Sequence, residues 1–327
     1  MDTGKDRAQQ VNKSKIRQYW AQYRWSNVWE MLKNNRLSPK TCNEDCKGKL
    51  VVISGATSGI GYHAARRFAA GGADILAINR NREKSDALCH EIHQEFGVAC
   101  DAIIADLSVL NEIRNAADRL LHLDRPIDVL IHNAGVYLKK KTLTPDGLET
   151  TFVVHYLSSF IMNYMLLERL RCEQRARILY VSSEGYRFAV WGIDLENLQF
   201  EHGGYSGLRA YGSAKTAQLL AMHSFAQLLE GSGVTINAMH PGMVATNTGR
   251  ENHAFYRWYK KNILDRYSQS PAVSAEALYY LGVSPDLHGI TDAFFNLTTR
   301  EELTPPALDM EMAQELWHKS IVIAELG

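Results

Sequence analysis

Leu50-Val-Val-Ile-Ser-Gly-Ala-Thr-Ser-Gly-Ile-Gly61 is an apolar run that breaks into glycines and restarts at helical spacing through Tyr62, Ala64, Ala65 and Phe68. It reads as strand, turn, helix. Each glycine of Gly55-x-x-x-Gly59-x-Gly61 permits a backbone path that a Cβ would block, so amides around Thr57, Ser58 and Ile60 can approach a pyrophosphate. A tight βα turn with no ligand uses the same residues, and only the rest of the chain separates the two readings.

With 327 residues, 46% of them hydrophobic, the chain can bury one large core. Its formal net charge is zero, which favours neither nucleic acid nor a strongly charged partner. The five cysteines, Cys42, Cys46, Cys89, Cys100 and Cys172, have no zinc-ligand spacing, so reduced structural thiols and no metal site are expected. Cys42 and Cys46 could meet on one helical face or form a labile bridge. No apolar run reaches the ~18 residues of a membrane-spanning helix, and the N-terminus lacks the apolar centre of a secretory signal. A cytoplasmic protein is the reading, with peripheral membrane contact as its variant.

Residues 1–47 form a basic, aromatic extension ahead of the main domain, 48–327. Up to Lys40 it holds nine Lys or Arg against Asp2, Asp6 and Glu30. Ile16, Trp20, Tyr23, Asn27 and Met31 fall near one helical face, widened by Trp25, Val28, Trp29 and Leu32. Such a helix either packs against the main domain or lies on an anionic membrane. Ser38-Pro39 and the polar run to Gly48 read as a connector.

From Lys49 onward short apolar runs alternate with helical patterns, the rhythm of a Rossmann-type doubly wound α/β fold with helices on both faces of a parallel sheet. Strands are expected at Leu50–Ser54, Asp74–Ile78, Ala99–Ile104, Val129–His132, Ile178–Ser182, Val234–Met239 and Asp292–Asn296, about seven in all. Right-handed crossovers would then gather ligand-binding residues at their carboxyl ends.

The second strand ends without an acid, in Ala77-Ile78-Asn79-Arg80. An arginine there suits a 2′-phosphate, with Arg82 close behind, although a solvated Arg opening the next helix is the plain alternative. Asp106, after the third strand, can accept from an adenine amino group or cap the next helix. Asn133-Ala134-Gly135, after the fourth, are small enough for a ribose or nicotinamide to come close.

Gly55-x-x-x-Gly59-x-Gly61, Asp106-Leu107, Asn133-Ala134-Gly135, Ser182-Ser183, Tyr211-Gly-Ser-Ala-Lys215 and Pro241-Gly242 with Thr246 occur in the order of the short-chain dehydrogenase/reductase family, which the chain resembles over roughly residues 48–300. Thr144-Pro-Asp-Gly-Leu148 and His240-Pro-Gly242 are similar to the retinol dehydrogenase branch and its WW-domain oxidoreductase relatives. The resemblance implies a nicotinamide dinucleotide, which Arg80 sharpens to NADP(H) with NAD(H) as the alternative carrier, bound by the glycine turn, Arg80, Asp106, Leu107, Asn133, Ala134, Gly135, Pro241, Gly242 and Thr246. It implies that Tyr211 exchanges a proton with a substrate oxygen, that Ser183 hydrogen-bonds that oxygen, and that Lys215 holds the nicotinamide ribose.

The spacing of Tyr211 and Lys215 serves that chemistry, since residues four apart on a helix share a face and an ammonium favours a phenolate. One position departs from the family. Where its fourth catalytic residue is an Asn that organises a water-linked relay to the lysine, this chain has His155, whose imidazole either joins a relay or is buried and satisfied by backbone. His132 is a milder change of the same kind.

Two aromatic segments are expected to roof the pocket: Glu184 to Gly207, with Tyr186, Phe188, Trp191 and Phe200, and Asn247 to Tyr267, with Phe255, Tyr256, Trp258 and Tyr259. They suit a small but bulky apolar alcohol or carbonyl of retinoid, steroid or lipid-aldehyde type. Against an oxidoreductase stands a second reading, a cofactor-binding sensor or scaffold with weakened catalysis, motivated by His155 and the basic extension.

Overall fold

The structure, a computed structural model, describes Tyr19, Gln22, Asn34 and residues 37–242 and 270–327. Alternation along the strands divides the core. In β1 (Leu50–Ser54), Val51 and Ile53 face one side and Leu50 and Val52 the other, the two-residue period of a pleated strand, and every residue is buried. A strand buried on both faces belongs inside a sheet with helices above and below.

β1 is third from the edge of an eight-stranded sheet in the order β3-β2-β1-β4-β5-β6-β7-β8. The others are β2 (Asp74–Asn79), β3 (Cys100–Ile104), β4 (Val129–His132), β5 (Arg177–Val181), β6 (Thr235–His240), β7 (Ala293–Asn296) and β8 (Thr299–Glu301). All pairs are parallel except β7 with β8. The chain reverses direction across the sheet between β1 and β4, and such a switch point opens a crevice at the carboxyl ends of the strands.

Helices α1 (Gly59–Ala70), α2 (Arg82–Phe96) and, later in the chain, Pro271–Val283 bury Ala64, Phe68, Leu88, Ile92 and Leu278 on the Val51 face. The opposite face carries α3 (Leu110–Leu121), α4 (Ser158–Glu173), α5 (Gly207–Leu228) and the C-terminal Met310–Ile323. In order, the Pro271–Val283 and Met310–Ile323 helices are α6 and α7. Local chemistry sets several of their ends. Asn81 accepts from the Lys84 amide and Asp309 from that of Met312, while α2 stops at Gly97 in the left-handed region, φ +67°.

The expected strands appear within a residue or so of their bounds, and the sheet has one more. β8 is a three-residue antiparallel edge, Thr-Arg-Glu, too short and polar for an apolar pattern to reveal. The connector is also more than a spacer. The Lys40 amide donates to Thr298 Oγ1 (2.8 Å), that of Cys46 to the Gly71 carbonyl (2.6 Å) and Arg67 to the Cys42 carbonyl (2.9 Å), so both thiols are buried against α1 and α6.

Cys42 and Cys46 do not pair. Cys46 Sγ instead meets the Tyr279 hydroxyl at 3.6 Å, and the thiols that approach each other are Cys89 and Cys100, 2.8 Å apart between α2 and β3. The aromatic stripe Ile16, Trp20, Tyr23, Asn27 and Met31 lies outside the described residues. Tyr19, which that stripe omits, is 1% exposed and donates to Asp309 Oδ2 at 2.6 Å. Among the described residues no helix is long and apolar enough to cross a membrane.

Candidate active site

The glycine turn is held by its neighbours through backbone contacts. A Cβ on Gly55, φ +72°, would stand 2.9 Å from Ala134 Cα, and one on Gly61 would stand 2.2 Å from the Gly55 carbonyl oxygen and 2.5 Å from Asn133 Nδ2. Neither position has room for a side chain. Asn133 Nδ2 donates to the carbonyls of Ser54 (3.0 Å) and Gly55 (2.9 Å), and Ser54 Oγ accepts from the amides of Asn133 and Ala134. Asn79, notable in the sequence only for not being an acid, accepts from the Ala56 amide at 2.7 Å and closes the turn against β2.

At Gly59 the opposite holds, because an added Cβ would meet nothing within 4 Å. Ser58 caps α1 without a side-chain bond, so it leaves the first-turn amides for an outside acceptor. Open space before an uncapped helix N-terminus fits a pyrophosphate, and these residues can therefore hold a dinucleotide.

Farther along the sheet edge, Arg80 is 77% exposed and its Nη1 stands 3.6 Å from Asp106 Oδ2. Asp106 also accepts from the Ser108 amide and hydroxyl and faces the arginine. It does not cap the next helix, whose N-cap is Val109 and whose Leu110 amide donates to Asp146, so of its expected roles the adenine contact is the one left open. Leu107 points into the core at 7% exposure. The Pro241 carbonyl accepts from Ser274 Oγ at 2.6 Å, and Gly242 turns with φ +76°. Thr246 lies outside the described residues.

Tyr211 and Lys215 project from α5 toward the end of β5, beside Ser183. A Cβ on Gly185 would come within 2.4 Å of the Tyr211 ring, so this glycine lets the phenol sit close to the strand end. Burial pushes the Tyr211 pKa up, and the hydrogen bond with Ser183 partly offsets it. Lys215 is 3% exposed, and the same burial brings its pKa down to about 7. Desolvation thus works against the charged form of both groups, and the expected lowering of the phenol by an ammonium is not the dominant effect on it. Lys215 Nζ donates to the Val181 carbonyl (2.7 Å) and to Gln218 Oε1 (3.2 Å).

His155 sits in a π-helical turn, Val153–Leu157, between a short helical start and α4. Its Nε2 is 2.6 Å from the Val136 carbonyl oxygen and 3.1 Å from the Val136 amide. The shorter contact favours the tautomer with the proton on Nε2, which leaves Nδ1 as a buried acceptor without a hydrogen bond among the described residues. Burial, then the neighbouring Lys215, hold His155 at a pKa of about 3, so the ring is neutral and its face edges onto Tyr211 at 5.1 Å. Of the two roles open to it, the side chain takes the backbone-satisfied one at Val136. Its backbone oxygen accepts from Gln218 Nε2 at 3.1 Å. His132 is likewise buried and neutral, with a pKa of about 4, and bonds Asn163 at 2.8 Å.

Gln218 and Asn79 were not singled out in the sequence. Gln218 had a usable signal, since it falls three residues after Lys215 on the same helical face, whereas Asn79 had none. On the first aromatic segment, Tyr186 belongs to the core and accepts from the Thr304 amide, while Phe188 and Trp191 are 53% and 41% exposed. Phe200 packs edge-on against Tyr205 at 5.5 Å. The second segment, Asn247 to Tyr267, lies outside the described residues.

A family model described as enoyl-(acyl carrier protein) reductase matches residues 55–293. Retinol dehydrogenase 14 of Mus musculus is 33% identical over 289 residues, spanning 84% of this chain and 86% of that protein. The chain is an NAD(P)-dependent short-chain dehydrogenase/reductase. Other members of this family extend the likeness: WW domain-containing oxidoreductase of Homo sapiens is 31% identical over 284 residues, covering 84% of this chain and 67% of the relative. Among solved structures, an uncharacterised protein from Mycobacterium paratuberculosis superposes with a TM-score of 0.66 at 25% identity, covering 86% of this chain and 95% of that one. A blue fluorescent protein from a metagenomic library, solved in complex with NADPH, shares the fold of this short-chain dehydrogenase/reductase with a TM-score of 0.62 at 24% identity, over 77% and 97% of the two chains.

Proposed function

We propose that this short-chain dehydrogenase/reductase interconverts a bulky apolar alcohol and its carbonyl, of retinoid, steroid or lipid-aldehyde type, with NADP(H) preferred over NAD(H). The observation that carries the reading is the desolvated group at the end of β5, where Tyr211 and Ser183 meet beside Gly185, one helical turn from Lys215. The glycine turn and the start of α1 would hold the pyrophosphate of the dinucleotide, which would supply or accept the hydride through its nicotinamide.

The chain's own residues handle the proton. A phenol whose pKa is raised by burial keeps its proton at neutral pH and can donate it to a carbonyl oxygen as negative charge develops there. Ser183 has a hydroxyl within the same hydrogen-bonded group and shares that charge. Lys215 would hold the ribose and, when protonated, favour the phenolate left behind. The exposed Arg80 supports the NADP(H) preference, because a guanidinium matches a 2′-phosphate and no acid stands at that strand end to hold a free ribose hydroxyl. Phe188 and Trp191 supply apolar surface for the substrate. The retinol dehydrogenase relatives point to the same substrate class.

NADPH oxidation followed across a panel of apolar aldehydes and ketones tests this reading. Turnover that depends on Tyr211 is expected. Tight NADPH binding with no turnover on any of them would reject it in favour of a cofactor-binding sensor or scaffold.

A further inference from the structure

Gln218 is 3% exposed and stands three residues past Lys215 on α5, so both side chains leave the same face of the helix. Its carboxamide is used at both ends. Oε1 accepts from Lys215 Nζ at 3.2 Å, and Nε2 donates to the His155 carbonyl oxygen at 3.1 Å. That carbonyl belongs to the π turn, where the regular i to i+4 ladder is interrupted.

The chemistry of the two neighbours fixes which way round the amide lies. Turned over, it would aim NH2 at an amine that donates and an oxygen at a carbonyl that only accepts, losing both bonds in a site without water access to replace them. The bridge therefore has one orientation, with an acceptor facing the amine. An amide of this kind also passes no proton along, so the link from Lys215 to the π turn is a strut.

We propose that Gln218 is a positioning residue for the reaction: its carboxamide fixes Lys215 Nζ between β5 and the π turn and stabilises the ammonium form on which Tyr211 relies. The inference rests on the reading of Tyr211 and Lys215 as the acid–base pair. Among the described residues Lys215 has two hydrogen-bond acceptors, the Val181 carbonyl on β5 and Gln218 Oε1, and neither is charged. The titratable groups facing it are Tyr211 from its own helix and His155 from the π turn, and His155 is neutral. With no carboxylate among the described residues acting on it, an amide oxygen within hydrogen-bond reach carries a large share of what keeps the ammonium in this buried place.

The test is a pair of substitutions of opposite sign in the full chain. Gln218→Met keeps length and packing and removes the acceptor, and Gln218→Glu keeps the shape and adds a charge. Each is read by the NMR titration of Lys215 in 13C-lysine-labelled protein, assigned by Lys215→Met, and by the pH profile of kcat. Activity that needs the ammonium falls as pH rises through the lysine pKa. The Met variant should therefore titrate about one unit lower, moving the alkaline limb of kcat to lower pH, and the Glu variant about one unit higher.

KM for the carbonyl substrate should stay within about twofold, because Gln218 does not reach it. A general loss of packing would lower Tm and kcat in both variants and leave the Lys215 titration in place, which would overturn the proposal. So would shifts of the same sign in both. The NMR readout needs no turnover. A wild type that titrates as expected but reduces no substrate would reject the catalytic reading and keep the strut, and an unmoved lysine in an active enzyme would do the reverse.

Discussion

At the turn after β1 the backbone makes the surface: glycines leave space, an uncapped helix start presents amides, and Asn133, Ser54 and Asn79 brace the loop from behind. The group around Tyr211, by contrast, is made of side chains, and most of them are buried against one another. Charge is cheap at the first region, where Arg80 stands in solvent, and expensive at the second, where Lys215 is held near a pKa of 7 and His155 near 3. The difference teaches that binding and proton transfer rest on separate physics here, one on steric permission and the other on desolvation.

Substitutions can break that contrast at four points, in descending size of effect. Tyr211→Phe removes the proton donor and should cut turnover by about 10²-fold or more while NADPH affinity, followed by fluorescence, stays near that of the wild type. Unchanged turnover would take Tyr211 out of the mechanism. Gly61→Val places carbon into the Gly55 carbonyl and Asn133, so it should abolish cofactor binding, with a fall of several degrees in Tm. Calorimetric titration with NADPH checks it, and wild-type affinity would mean that the turn does not carry the dinucleotide.

Arg80→Ala should leave the fold intact and reduce the preference for NADPH over NADH by about tenfold, ~1.4 kcal/mol, measured as the ratio of kcat/KM. An NADPH preference that survives the change would move 2′-phosphate recognition elsewhere. The smallest effect concerns acid stability. His155 is neutral in the fold with a pKa of about 3, whereas an unfolded histidine titrates near the ordinary 6.5, so the unfolded state takes up the proton first. That contribution to stability is present above pH 6.5 and is lost as pH falls toward 3. His155→Asn should therefore flatten the decline of Tm between pH 7 and 4, while His132 and His240, both near 4, keep part of it. An unaltered slope would show that His155 is not buried neutral.

Most of the sheet could be read from Val51, Ile53, Ile75 and their counterparts, because a strand covered on both faces must be apolar throughout. β8 could not, since Thr299–Glu301 has no apolar period. The candidate site was legible where its residue types are unusual for their surroundings, as at Gly55, Gly61, Tyr211 and Lys215. It was not legible at Asn79 and Gln218, which are ordinary polar residues until a neighbour 23 or 63 positions away faces them. The docking of Cys42 and Cys46 under α6 was hidden for the same reason.

By itself, then, the order of residues determined the parallel sheet, the glycine turn and the helical pairing of Tyr211 with Lys215, all of which follow from local sterics and periodicity along a few residues. Tertiary structure alone decided that His155 turns its ring to Val136 and its carbonyl to Gln218, and that Lys215 is buried enough to lie near neutrality. Desolvation and hydrogen-bond partnership depend on which distant segments close around a group, and no pattern in the chain's own neighbourhood records that.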